Sequence, residues 1–408
     1  MSSQIPFWQR TFSSLKYRDY RLYWYGSCTE HIGQQMETMA SAWLMMELTN
    51  SPFYLGLLTF CRIAPLFFFA LIGGVIADRF DRRNLLNFSF WASAVVSTAL
   101  LILARTGLIA PWHLLLAAAL TAGIIGINHP ARDALIPHLT PKEDWMNAIA
   151  LDTISVRTAS ILSSPLAGYL ISLYGTTPLF GVRTIGVVLA ALWLMRANIP
   201  ATATTARNQS ALENLVRGLK FVSAQGLMLS LIAVFALREF QHEMSTVFLP
   251  FFASSILHAG AAGFGYLNMA QGIGGVAGLV GVASLGNYKH KGRLIIVSGI
   301  IVGMLLIFFA YSKVLLLSVF LLIAANSFGT VFENVGRAAL QTIIPDEMRG
   351  RIMSLREVIR GFFGAWVSYA LGLGGEYLGV VTTSMLLGLF IIFSVLAIYV
   401  SIPAFRKL

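Results

Sequence analysis

Residues 291–337 read KGRLIIVSGIIVGMLLIFFAYSKVLLLSVFLLIAANSFGTVFENVGR. Two runs, 294–311 and 314–335, are almost wholly apolar, and Lys313 is the charge between them. A membrane-spanning helix needs about 20 mostly apolar residues, and each run supplies them. Neither alternates as a barrel strand does, and lipid offers no water to unpaired backbone groups, so helix is the element. Basic residues crowd the outer ends, with Lys289, Lys291 and Arg293 before the pair and Arg337 after it. The stretch therefore reads as a helical hairpin with both ends on one side of a bilayer.

The same reading carried outward divides the chain into twelve runs: 20–47, 53–76, 85–104, 112–131, 148–173, 177–195, 227–249, 262–285, 294–311, 314–335, 354–375 and 380–402. Placing both termini in the cytoplasm puts 21 Lys and Arg on the cytoplasmic side and two, Arg105 and Lys313, on the other. That asymmetry is the positive-inside pattern, and a missed or extra helix would scramble it. Six further arginines lie inside the runs: Arg62, Arg157, Arg183, Arg238, Arg356 and Arg360.

Composition agrees. The 408 residues are 57% hydrophobic and 12% charged, with mean hydropathy +0.73, whereas soluble domains carry about 25% charged residues. So little charge leaves lipid as the solvent for most of the surface. The net charge of +11 falls in short clusters between apolar runs, which points to membrane orientation and not to nucleic acid. Cys28 and Cys61 sit inside apolar runs and suggest neither a disulfide framework nor a metal site. No small-residue cleavage site follows the first run, so the first helix is expected to be retained. The chain has no phosphate-binding loop for ATP and no hydrolase motif. Neither enzyme activity, nor a cofactor, nor a metal is expected.

The longest polar stretch, from Arg196 to about Gln225, lies at the chain midpoint and contains Pro200 and an amphipathic piece, 212–222. It reads as a cytoplasmic linker (196–226) between an N-terminal bundle (1–195) and a C-terminal bundle (227–408). The halves look like repeats. A shift of 209 places Gly56 on Gly265, Asp78 on Asn287, Glu30 on Glu239 and Gln34 on Glu243. A shift of 204 superposes Ala134-Leu135-Ile136 on Ala338-Ala339-Leu340 and Pro141 on Pro345.

After the second run the chain reads Gly73-Gly74-Val75-Ile76-Ala77-Asp78-Arg79-Phe80-Asp81-Arg82-Arg83. This resembles the signature of the major facilitator superfamily, with Gly74, Asp78, Arg79, Arg82 and Arg83 matching and Asp81 in place of the second glycine. Residues 28–56, Pro130–Pro141 and Pro345–Arg351 resemble the exporter-like branch that includes enterobactin exporters. The resemblance implies an all-α membrane protein of twelve transmembrane helices in two pseudo-symmetric six-helix bundles. It also implies a monomeric, multi-pass secondary transporter of the cell inner membrane that moves a small molecule by alternating access. Gly74, Asp78, Arg79, Arg82 and Arg83 would form a cytoplasmic gate latch, meeting the chain near Met353–Leu355. The expected activity is proton-driven efflux of a small amphiphilic or anionic molecule such as a siderophore or drug. Uptake of an iron-chelate and a receptor without turnover are the alternatives.

Charge stranded in hydrocarbon marks the candidate site. An ionisable side chain at the bilayer centre costs at least about 2.5–3.5 kcal/mol. The first run carries Glu30, Gln34 and Glu37 on one helical face, flanked by His31 and Gln35. At 1.5 Å per residue Glu30 lies about 15 Å inside the cytoplasmic end. The seventh run carries Arg238, Glu239, Gln241, His242 and Glu243 at similar depth. In the family these two helices line the central cavity. Glu30, Glu239, Glu243 and Glu37 are therefore the candidates for proton coupling. His31, Gln34, Arg157, Arg238, His242, Asn268, Gln271, Asn326 and Glu333 are candidates for the substrate cavity. For Glu239 and Glu243 the competing reading is an ion pair with Arg238, and for Arg157 a pairing with Asp152. For the amides it is helix–helix hydrogen bonding.

Overall fold

Apolar runs cut off from water must satisfy their own backbone groups, and they do so as helices. The computed structural model describes residues 11–408 except 80, 134, 199–216, 218, 224, 287 and 407. Among the described residues there is no strand, and twelve helices are of spanning length. They are α1 (Arg18–Thr49), α2 (Pro52–Arg79), α3 (Arg82–Thr106), α4 (Pro111–Asp133), α5 (Trp145–Tyr174) and α6 (Thr177–Arg196), then α7 (Gly226–Phe251), α8 (Gly260–Leu285), α9 (Lys291–Tyr311), α10 (Leu315–Ile343), α11 (Asp346–Leu378) and α12 (Val380–Ser401). Seven of them (α3, α4, α6, α8, α9, α10 and α12) are long and apolar enough by composition alone to cross a bilayer. The buried carboxylates concentrate on α1 and α7.

Each expected run has its helix, and two helices extend well past the run. α10 continues from 335 to Ile343, and Asn334 and Thr342 satisfy their side chains within it by bonding back onto the carbonyls of Thr330 and Ala339 at 2.9 and 2.7 Å. α11 begins at Asp346, not 354. Pro345 sets its start, Asp346 and Glu347 face the positive end of the helix dipole, and Arg349 pairs with Asp346 at 2.6 Å.

Contacts divide the chain into two units, residues 1–44 with 65–207 and residues 45–64 with 208–408. The tip of the α1–α2 hairpin thus belongs with the second unit, where the sequence reading had assigned all of 1–195 to the first. The cause is a glycine crossing. Gly56 of α2 lies so close to α11 that a Cβ there would stand 2.5 Å from the Ser368 carbonyl oxygen and 2.7 Å from Gly372 Cα. Phe53, Phe60, Trp366 and Tyr369 pack as tilted and edge-on rings beside it. Ser51 donates to Glu376 at 2.6 Å. Most of the expected linker, 199–216, lies outside the described residues.

In the first unit α1 runs along α6 with small residues at the contact: Gly26 meets Ala190, Gly33 meets the backbone of Arg183, and Gly186 meets Thr29. One end of α1 is fastened to α5. A 3-10 turn, Ser13–Lys16, precedes α1. Asp144, just before α5, accepts from Ser13 Oγ and Tyr17 OH at 2.8 Å and from Lys16 Nζ at 2.9 Å. Tyr20 OH then donates to the Ala148 carbonyl at 2.7 Å and Trp24 Nε1 to that of Leu151 at 3.2 Å. Those three donors hold the Asp144 carboxyl below the ordinary aspartate range, and the same contact holds the Lys16 ammonium above its own. A depressed carboxyl contributes above its unfolded pKa of about 3.9 and is lost as pH falls through the folded value. A raised ammonium contributes below about 10.4 and is lost as pH rises. The fastening is therefore complete across neutral pH. Asp144→Ala is expected to speed amide exchange over residues 13–20 at pH 7 without altering exchange in α9. Unchanged protection at 13–20 would show that the turn is held by something else.

Asp81 stands where the family signature has glycine, and it caps α3, accepting from the Asn84 N–H at 3.0 Å. Arg83 reaches the last turn of α6 and donates to the Met195 carbonyl at 2.8 Å. Gly74, Asp78 and Arg79 continue α2, and Arg82 opens α3. The side chains of these four lie outside the described residues.

Candidate functional site

Each unit buries its own cluster of charge. In the first, Glu30 is 6% exposed and sits between two guanidiniums. Arg183 of α6, 1% exposed, donates from Nη1 to Glu30 Oε1 at 3.2 Å and to the Glu30 carbonyl at 3.1 Å. Its Nε lies 2.9 Å from Glu37 Oε2, a charge contact without the alignment of a hydrogen bond. Arg132, in the last turn of α4, donates to Glu30 Oε2 at 3.2 Å, to Ser27 Oγ at 2.8 Å and to Tyr23 OH at 3.1 Å. Its Nη2 also lies 2.8 Å from His31 Nε2. Arginine has only donors, so Nε2 accepts and the ring proton stands on Nδ1, 3.4 Å from Glu30 Oε2. Asp152 of α5 completes the group, 3.8 Å from Arg132. The cluster ties α1, α4, α5 and α6 together.

The second cluster has a different character. Glu239 and Glu243 stand one turn apart on α7, 8% and 3% exposed. Both point at Gly364 of α11, where a Cβ would meet Glu243 Oε1 at 3.4 Å and Glu239 Oε2 at 3.6 Å. Both carboxylates thus pack against this face of α11 at ordinary contact distance. Among the described residues Glu243 Oε2 is buried with no hydrogen-bond partner. Beside the pair opens a recess of about 190 Å³ lined by Phe235, Arg238, Glu239, Glu333, Arg356 and Arg360. Arg238 Nε lies 3.8 Å from Glu333 Oε2. Glu357 accepts from Arg356 Nη2 and, at 3.0 Å, from Arg360 Nε.

The expected residues divide accordingly. Glu30, Glu37 and His31 fall in the first cluster, and Glu239, Glu243, Arg238 and Glu333 in the second. Gln34 is half-buried on α1, while its neighbour Gln35 donates to Ser164 Oγ at 3.3 Å. Arg157 is exposed on α5 and makes no ion pair among the described residues, and Asp152 instead lies by Arg132. His242 is on the exposed side of α7. Asn268 and Asn326 bond carbonyls within their own helices, at Phe264 and Leu322, and Gln271 reaches Asn268 at 3.5 Å. Gln241 links helices as Gln35 does, donating from α7 to the Ala325 carbonyl of α10 at 2.9 Å.

Four arginines gained roles that the sequence reading had not given them. Arg132 counted there as a cytoplasmic topology charge, because it follows the apolar run of α4; its long side chain instead turns back to Glu30. Arg183 was visible as a lone charge in an apolar run, but its partners lie far away in sequence on α1, Glu30 at 153 positions. Arg356 and Arg360 read only as charges near the start of the eleventh run, and α11, which begins eight residues earlier, puts them well inside the helix.

The transmembrane secretion effector family matches residues 9–407 of the chain. The chain is 19% identical over 362 residues to the staphyloferrin A transporter of Staphylococcus aureus, covering 88% of this chain and 90% of that one. It is 25% identical over 312 residues to the enterobactin exporter of Citrobacter koseri, covering 76% and 73%. Its fold matches that of an inward-facing bacterial homologue of the lysosomal transporter Spinster, with TM-score 0.74 at 15% identity over 96% of this chain and 98% of that one. A twelve-helix chain matched along almost its whole length in this way belongs to the transmembrane secretion effector family, and it is a multi-pass membrane transporter of the major facilitator type.

Proposed function

We propose that this transporter exports a small siderophore-type molecule across the inner membrane in exchange for protons, with Glu239 and Glu243 as the exchanging groups. The observation that carries the reading is Glu243 Oε2, buried with no donor among the described residues beside an arginine-lined recess. A buried acceptor left unpaired carries its full desolvation cost. Two things can relieve it: a proton, or an N–H or O–H donor of the transported molecule. Competition of both for one oxygen is what exchange requires, because each then leaves when the other arrives. Glu30 and Glu37 are assigned a different role. Two guanidiniums already satisfy Glu30, so that cluster holds helices together. The names of the relatives, an enterobactin exporter and a staphyloferrin A transporter, support a siderophore-type cargo and, for the exporter, the outward direction.

Inside-out vesicles carrying the transporter are expected to accumulate iron-free enterobactin or staphyloferrin A when the lumen is acid. Glu243→Gln keeps the shape and cannot cycle a proton. It is expected to lower gradient-driven accumulation roughly tenfold or more, the factor that follows from one charge-assisted hydrogen bond of about 1.5–3 kcal/mol. Glu239→Gln is expected to act in the same direction. Accumulation only in right-side-out vesicles would replace export by uptake. Binding with no accumulation in either orientation would make the protein a receptor. A pH dependence unchanged from the wild type in both variants would remove the carboxylates from coupling.

A further inference from the structure

We infer that Arg356 holds the anionic group of the transported molecule, so that the recess between α7, α10 and α11 is a carboxylate subsite; this rests on the export reading above. Arg356 is 5% exposed and lines the recess. Its Nη2 donates to Glu357, but among the described residues Nε and Nη1 are buried with no acceptor. A guanidinium carries five donors, stays charged at every physiological pH and has no acceptor of its own. Burying such donors without partners is costly, and an oxyanion entering the recess relieves the cost.

The surroundings fix Arg356 for that task. Its guanidinium lies over the Phe235 ring at 5.2 Å, which holds the group by a cation–π contact and walls one side of the recess with a hydrocarbon face. Glu357 bridges Arg356 and Arg360, so both cations are held in place from one side. Arg238 and Glu333 close another wall, and their 3.8 Å separation is that of a loose pair. The 190 Å³ of the recess takes in its open mouth, and the enclosed part is far below the roughly 300–1,000 Å³ of pockets that enclose a whole drug-sized ligand. It therefore takes one functional group, a carboxylate with the few carbons that bear it, while the body of the molecule lies elsewhere. Phe235 sets a hydrocarbon face beside that carboxylate, so an organic acid is favoured over a bare inorganic ion.

The test is binding of citrate, inorganic phosphate and the neutral trimethyl ester of citrate to the full chain in nanodiscs, followed by calorimetry. Citrate is expected to bind, phosphate more weakly and the ester not at all. Arg356→Gln is expected to weaken citrate binding about ten- to hundred-fold, the range for a charge-assisted hydrogen bond, and Arg105→Gln to leave it unchanged. The wild-type chain gives an independent readout, since citrate should slow amide exchange over residues 352–360. Equal binding of citrate and its ester would overturn the assignment, as would unchanged affinity in Arg356→Gln or, where that variant fails to fold, unchanged exchange in the wild type. Absence of citrate binding while inside-out vesicles still export a siderophore would sink the subsite and leave the export reading standing. Arg356-dependent citrate binding without vesicle export would do the reverse.

Discussion

Replacing Arg183 with leucine is expected to lower stability by about 3–5 kcal/mol, the cost of breaking a buried ion pair by removing one partner. The side chain is 1% exposed and serves Glu30 Oε1, the Glu30 carbonyl and Glu37 together. Leucine would leave Glu37 without that guanidinium and Glu30 with Arg132 and His31 alone. The loss should appear as a lower melting temperature in detergent and poor recovery from membranes. Neutralising both partners is a sharper probe than removing one. The double variant Arg183→Met with Glu30→Gln should be more stable than Arg183→Leu, because apolar or neutral replacements of a buried pair are often tolerated. A single variant that loses less than about 1 kcal/mol would mean that the cluster is a surface-like pair of small value, and the helix-fastening role would fall.

Gly56→Leu is expected to abolish transport. A Cβ at this position already falls 2.5 Å from the Ser368 carbonyl oxygen and 2.7 Å from Gly372 Cα, both backbone atoms that no side-chain rotation can move aside. Three further carbons would drive α2 off α11, separating Phe60 from Trp366 and Ser51 from Glu376, now 5.5 Å between ring centres and 2.6 Å between oxygens. Overpacking of this kind costs about 1–3 kcal/mol, enough to remove the close-packed arrangement from any transport cycle that visits it. Gly372→Leu should behave alike from the other helix. Gly281→Leu is the control, since nothing lies within 4 Å of its added Cβ. Proteoliposome flux separates the three variants. Full activity in Gly56→Leu would show that α2 and α11 need not touch for transport.

The helices were legible in the sequence because lipid leaves the backbone one solution, and twelve apolar runs sit where twelve helices are found. Their ends were less so. Asn334 and Thr342 looked like the polar close of a run, yet each satisfies its side chain within the helix, so polarity there does not end it. Buried carboxylates were visible as well, since Glu30, Glu239 and Glu243 interrupt apolar runs. What the repeat relation hid is that Glu30 and Glu239, 209 positions apart, have unlike partners. The shift of 204 that holds later in the halves carries Arg183 to Leu387, so the guanidinium that secures Glu30 has no repeat-mate for Glu239. Long side chains defeat topology counting for the same reason. Arg132 belongs to the end of α4 by its backbone and to the middle of α1 by its charge. The closeness of Gly56 to Gly372 depends on two helices 316 positions apart, and no local pattern reports it.

One helix answers to two sets of neighbours. The change of allegiance in α2 falls between Ala64 and Pro65, and Pro65 lies inside the helix. Proline has no N–H, so the bond that would close on the Cys61 carbonyl is missing, and the ring crowds the turn before it. Resistance to bending is lowest at such a point. α2 is thus an elbow, stiff along its length and compliant at one joint, placed where it passes from one set of neighbours to the other.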